Sequence, residues 1–131
     1  MFKYDVKSKK AEEFINHEEI LNTLKFAKEN KNNMVTTTQL RQLLSNSVIV
    51  KNKISSKILK KKDKLSDALL NDVKYLLIKH TYQCGREFKV KEFDKKFEIS
   101  ERLKKIKTKE DFDIFYRYLE EIVAYVKYYI G

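Results

Sequence analysis

Proline is absent from the 131 residues, and glycine occurs only at Gly85 and Gly131. Average usage is roughly 5% proline and 7% glycine. Proline breaks helices, and both residues punctuate turns. A chain this poor in them reads as long helices joined by few tight turns. It also disfavours a β-sandwich, which needs many turn residues. With one internal glycine, a glycine-rich phosphate loop is excluded. Cysteine occurs once, at Cys84, so there is no internal disulfide framework, and a reducing compartment fits. No stretch approaches the roughly eighteen apolar residues of a membrane span. Residues 1–10 are polar, with no apolar run of signal-peptide length. The expected location is cytoplasmic, with no membrane partner.

What is present points to a folded, ionic chain. Apolar residues make up 42% of it, enough for a core, and charged residues 37%, enough to cover most of its surface. The length suits one domain, residues 1–131, and leaves no room for two ordinary cores. Lys and Arg number 29 against 19 Asp and Glu, a net charge of +10. Such a balance favours a polyanionic partner, nucleic acid or an anionic surface, and says nothing about fold.

Periodicity gives the outline. Residues 1–15 read as a lead-in. Asn16 and Glu19 form a capping-box-like pair before Ile20, Leu21, Leu24 and Ala27 at helical spacing. Thr36 and Gln39 repeat that signal, and Leu40, Leu43, Leu44, Ser47 and Val50 form the stripe behind it, with Ile54 and Ile58 as its continuation. A third helix runs from about Ser66 to Cys84 with Leu69, Leu70, Val73, Leu76, Leu77 and His80 on one side, and Gly85 is the expected stop. Two short segments follow, residues 90–97 and 100–107. Thr108 and Asp111 then open a last helix carrying Phe112, Phe115, Leu119, Ile122, Val123, Val126 and Ile130. The expected fold is all-α: a single compact bundle of about five helices, with one or two short helices before a long C-terminal one.

No catalytic constellation emerges. His80 and Cys84, four apart, share a helix face and make half of a zinc site, but the only other histidine is His17 and there is no second cysteine. A core histidine beside a small apolar thiol is the alternative. The carboxylate pairs Glu12–Glu13, Glu18–Glu19 and Glu120–Glu121 are adjacent, so on a helix they point about 100° apart and do not converge. Neither histidine has an arginine four to six residues upstream, as small helical ribonucleases require. Catalytic residues, metal ligands and cofactors are all expected to be none.

Cations do cluster. Residues 51–64 hold seven lysines against one aspartate, six of the ten net charges. A run of this kind is either a solvated face or a phosphate-binding surface. Phosphate contacts give affinity without reading sequence, and A-form RNA offers mainly shape and backbone to a protein. Tyr118, Tyr125 and Tyr129 lie on one side of the last helix, where they either stack on bases or pack a helix boundary.

The segments Tyr82-Gln83-Cys84-Gly85-Arg86 and residues 118–129, with Val123-Ala124-Tyr125-Val126-Lys127-Tyr128 at their heart, resemble the small subunit of the type III-A CRISPR interference complex, the Csm complex. Leu40-Arg41 resembles that family's Leu-Arg pair. The resemblance covers residues 36–129. Cys84 and Glu121 stand where alanine is usual, and Val126 where many members have histidine. The resemblance implies a non-catalytic RNA-binding subunit that lines the backbone of guide RNA paired with target RNA and serves antiviral defence. Its partners would be the guide and target RNA, the other subunits of the complex and copies of itself in a filament, with cleavage left to neighbouring subunits. By motif position it implies Arg41 and Arg86 as backbone contacts, then Lys51, Lys53, Lys79 and Lys127. Arg86 has an alternative role in capping the helix end, and Lys127 a similar one. A small helical DNA-binding protein is the competing reading.

Overall fold

The computed structural model describes residues 35–129. The expected helix start at Asn16, residue Ile130 and the Tyr129 side chain fall outside the described residues. Within them all regular structure is helical, in the order α1 (Thr37–Ser55), α2 (Asp67–Arg86), α3 (Phe88–Phe97), α4 (Ile99–Lys104) and α5 (Lys109–Tyr129). One isolated antiparallel bridge joins Lys64 to Thr108. The all-α expectation, with two short helices before a long last one, is met.

The helices begin where their caps dictate. Thr36 Oγ1 accepts from the Gln39 amide at 3.2 Å, and Gln39 Oε1 accepts from the Thr36 amide at 2.9 Å, a reciprocal capping box. Ser66 caps α2 through the Leu69 amide at 3.2 Å. Before α5, Thr108 Oγ1 accepts from the Asp111 amide at 3.1 Å, while Asp111 Oδ2 accepts from the amides of Lys107 and Thr108, each at 3.0 Å.

Helix ends depart from expectation in three places. Helix α2 does not stop at Gly85 but continues to Arg86, and the break falls at Glu87, which is extended at φ −128° and ψ 113°. The left-handed position belongs instead to Glu98, at φ 55°, between α3 and α4. A non-glycine residue there costs about 1–2 kcal/mol. Its neighbours Phe97 and Ile99, almost fully buried on either side, offset that cost, since both reach the core only if the chain turns sharply between them. The α1 stripe ends at Ile54, and Ile58 is fully exposed, because Ser56 Oγ donates to the Lys53 carbonyl at 2.7 Å where the helix closes.

Helix α1 packs against α2 and α5, and α2 also carries α3 and α4. The core is filled by the expected stripes, with Phe93, Phe97, Ile99 and Leu103 added from the short helices. Tyr118 belongs to it. It is 1% exposed, and its hydroxyl donates to the Phe97 carbonyl at 2.8 Å. Arg102 lies over the Tyr118 ring at 3.9 Å and donates from Nε to the same carbonyl at 3.3 Å. Packing is therefore the role of this tyrosine.

Two substitutions test this core by urea denaturation followed by circular dichroism. Leu119→Ala, at a position with 0% exposure, is expected to cost about 2–5 kcal/mol. Tyr118→Phe is expected to cost only about 1 kcal/mol, because Arg102 still serves the Phe97 carbonyl.

Candidate nucleic-acid interface

The lysine run occupies the end of α1 and the loop that follows. That loop is held in shape by backbone bonds to the segment before α5. The Leu65 amide donates to the Lys107 carbonyl at 2.9 Å, Lys109 to Asp63 at 3.0 Å and Glu110 to Lys61 at 2.9 Å. Asp63, the one carboxylate of the run, accepts from the Lys60 amide at 2.8 Å and so closes the turn. Lys57, Lys60, Lys61, Lys62 and Lys64 are left exposed on one side of the seam, with Lys104, Lys105 and Lys107 on the other. Lys104 pairs with Glu101 at 3.2 Å. The second group escaped the sequence reading. Its signal was present as Lys104-Lys105-Ile106-Lys107-Thr108-Lys109, but nothing local showed that this stretch lies beside residues 60–65. Like charges at this density repel one another in the free protein, and a polyanion relieves that repulsion.

The six residues singled out by motif fall into two groups. Helix α1 lies antiparallel to α2 and to α5, because both the α1–α2 loop and the start of α5 sit at the same end of the bundle. Lys51 and Lys53 belong to the end that carries the lysine ridge, on opposite flanks of α1. The Lys51 ammonium lies 5.1 Å from the Tyr116 ring of α5, and Lys53 pairs with Asp72 of α2 at 3.3 Å. Arg41, Lys79, Arg86 and Lys127 lie toward the other end, about 18 Å away for Arg41 and Lys53 at 1.5 Å of rise per residue. Arg41 and Lys127 are exposed. Lys79 stands over the Tyr75 ring at 4.8 Å, and Arg86 over the Tyr82 ring at 5.6 Å.

One group of potential metal ligands converges among the described residues: His80, Cys84 and Asp94. The third ligand, Asp94, comes from α3, and the i, i+4 spacing of the other two could not reveal it. The carboxylate is already engaged. Asp94 Oδ1 lies 2.9 Å from His80 Nε2 and accepts from the Ser100 amide at 2.8 Å and the Ser100 hydroxyl at 2.9 Å. The arrangement ties α2 to α3 and caps the start of α4. Cys84 Sγ sits 3.6 Å from His80 Nε2. Burial, and then the nearby charge of Asp94, push its thiol up to about 11. A neutral thiol is a poor nucleophile and a poor ligand. A cavity of about 20 Å³, lined by α1, α2 and α3, has room for a water molecule and none for a metabolite.

These features define a small, basic helical protein that displays cations at both ends of a bundle. The profile of the family described as Csm2 Type III-A matches residues 7–131, and the chain belongs to that family. The match begins well before Thr36, where the quoted motifs begin. The chain is 44% identical over 105 residues to the CRISPR system Cms protein Csm2 of Streptococcus thermophilus, an alignment covering 79% of this chain and 81% of that protein. It is 33% identical over 101 residues to the protein of the same name from Enterococcus italicus, covering 74% and 69%.

Cys84 is the only cysteine, so alkylation reports on it alone. Its rate with iodoacetamide is expected to rise with a midpoint near pH 11 in the folded protein and near 9.0 in urea. Folding favours the neutral thiol. Its contribution to stability is therefore complete below pH 9.0 and is lost as the pH rises towards about 11. A folded-state midpoint at 9.0 would contradict the burial argument.

Proposed function

We propose that the chain is a non-catalytic RNA-binding small subunit of a type III-A CRISPR RNA-guided interference complex. The whole chain acts as one helical domain that lines the backbone of guide RNA paired with target RNA. Copies of it stack beside the other subunits, and the assembly works in the cytoplasm. Family membership gives the complex. The observation that carries RNA binding is the lysine ridge, two separate lysine-rich stretches seamed together by backbone hydrogen bonds with their carboxylate turned to the backbone. Such a surface suits a phosphate chain and carries no device for reading bases in a duplex.

On this reading Arg41, Lys51, Lys53, Lys79, Arg86 and Lys127 contact phosphates, joined by Lys61, Lys62 and Lys107 of the ridge. Arg41 and the ridge lie far enough apart to grip different stretches of one duplex. Where a base, a carboxylate and a thiol do converge, at His80, Asp94 and Cys84, the carboxylate holds Ser100 and the thiol is kept neutral, which supports a structural role for that junction.

Affinity of the free protein for an RNA duplex is expected to be independent of sequence and to fall tenfold or more between 50 and 200 mM salt. The triple variant Arg41→Ala, Lys51→Ala, Lys53→Ala and the ridge variant Lys61→Ala, Lys62→Ala, Lys107→Ala are each expected to weaken it further and to flatten the salt slope. Fluorescence anisotropy measures both. A salt-insensitive affinity, or turnover of labelled RNA by the pure protein, would sink this function.

A further inference from the structure

Helix α2 has a second face that none of the other described helices covers. Tyr75, Ile78 and Tyr82 recur along it at helical spacing and are 59%, 53% and 63% exposed. The two tyrosines are separated by two turns, about 10 Å along the axis. Each ring is held beside a cation, Lys79 at 4.8 Å and Arg86 at 5.6 Å. Lys74 is exposed on the same side, and residues 73–86 contain no carboxylate at all. Gly85 faces the same way. It is helical, and a Cβ placed on it would meet nothing within 4 Å. A glycine inside a helix costs about 1 kcal/mol relative to alanine. No described residue calls for that cost, and a glycine lets another chain approach the helix backbone closely.

We infer that this face is a stacking platform for unpaired RNA, an inference that rests on the reading of the chain as an RNA-binding subunit. Two bases lie against the Tyr75 and Tyr82 rings, phosphates meet Lys74, Lys79 and Arg86, and the strand passes close over Gly85. A duplex can meet the cations of this face but not its rings, because its bases are stacked on one another. An acidic protein surface would satisfy the cations and leave the two exposed rings without a matching partner. Aromatic rings interleaved with cations are the chemistry that holds single strands.

The test compares three probes by anisotropy: an unpaired RNA of about twelve nucleotides, an abasic strand of the same length and an RNA duplex. The double variant Tyr75→Leu, Tyr82→Leu is expected to bind the unpaired strand about tenfold more weakly and the other two probes as the wild type does. The variant Tyr75→Phe, Tyr82→Phe is expected to retain binding, because the ring stacks without its hydroxyl. Gly85→Leu is expected to weaken the unpaired strand selectively. All three positions are exposed, and matched urea melts verify that each variant folds. Wild-type affinity of the Leu double variant for the unpaired strand overturns the inference. So does a variant that keeps RNA binding but no longer joins the other subunits of the complex, which makes the face a protein-docking surface. If the wild type binds neither duplex nor abasic strand, the proposed function falls with it. If it binds both and only the tyrosine changes are silent, this inference alone fails.

Discussion

Phe112, Leu119, Ile122 and Val126 of α5 are wholly out of water, and the rest of the fold is arranged to keep them so. Helix α1 lies along this stripe, and the α3–α4 corner closes on it through Tyr118, Phe97 and Arg102. A chain with ten excess positive charges gains nothing from compaction electrostatically. The apolar contacts of α5 must exceed the repulsion, and none of the described lysines is buried among them. The same packing that forms the core therefore builds the cationic surface.

How that surface is shaped depends on a few backbone bonds. The α1–α2 loop could lie anywhere along the bundle as far as its own residues are concerned. Its pairing with residues 107–110 fixes it, and in doing so places two lysine stretches side by side. Asp63 and Asp111 turn their carboxylates to backbone amides, which leaves the lysine side chains of the ridge pointing away from them into solvent. At the other end, Arg41, Lys79, Arg86 and Lys127 stand apart from it. A partner touching both groups must span the bundle, which fits a long polyanion better than a small ligand.

Helix α2 shows how one element serves two purposes. Its inner face is buried through Leu69, Val73, Leu76 and His80, and the Asp94 carboxylate joins it to α3 and α4. That junction is what sequence reasoning could half see as a metal site. The i, i+4 pair was legible, and the aspartate fourteen residues beyond His80 was not, because it arrives by a tertiary turn. Its outer face keeps two tyrosines and an isoleucine in water.

Local physics decided much of this protein in the sequence itself. Capping pairs at Thr36 and Thr108 set helix starts, because both partners lie within one turn. The apolar stripes set which faces are buried, because helical period is a local property. Net charge and the lack of turn residues set the class. Helix ends were less legible. Gly85 looked like a stop and is not one, while Glu98 takes the left-handed conformation that glycine favours, since the demand to bury Phe97 and Ile99 acts across the fold. Only tertiary structure decided which cations stand together. Lys51 and Lys53 are neighbours in sequence yet turn to opposite flanks of α1, whereas Lys61 and Lys107 are distant in sequence and share a ridge. Charge is written in composition, but its arrangement follows from how apolar faces meet.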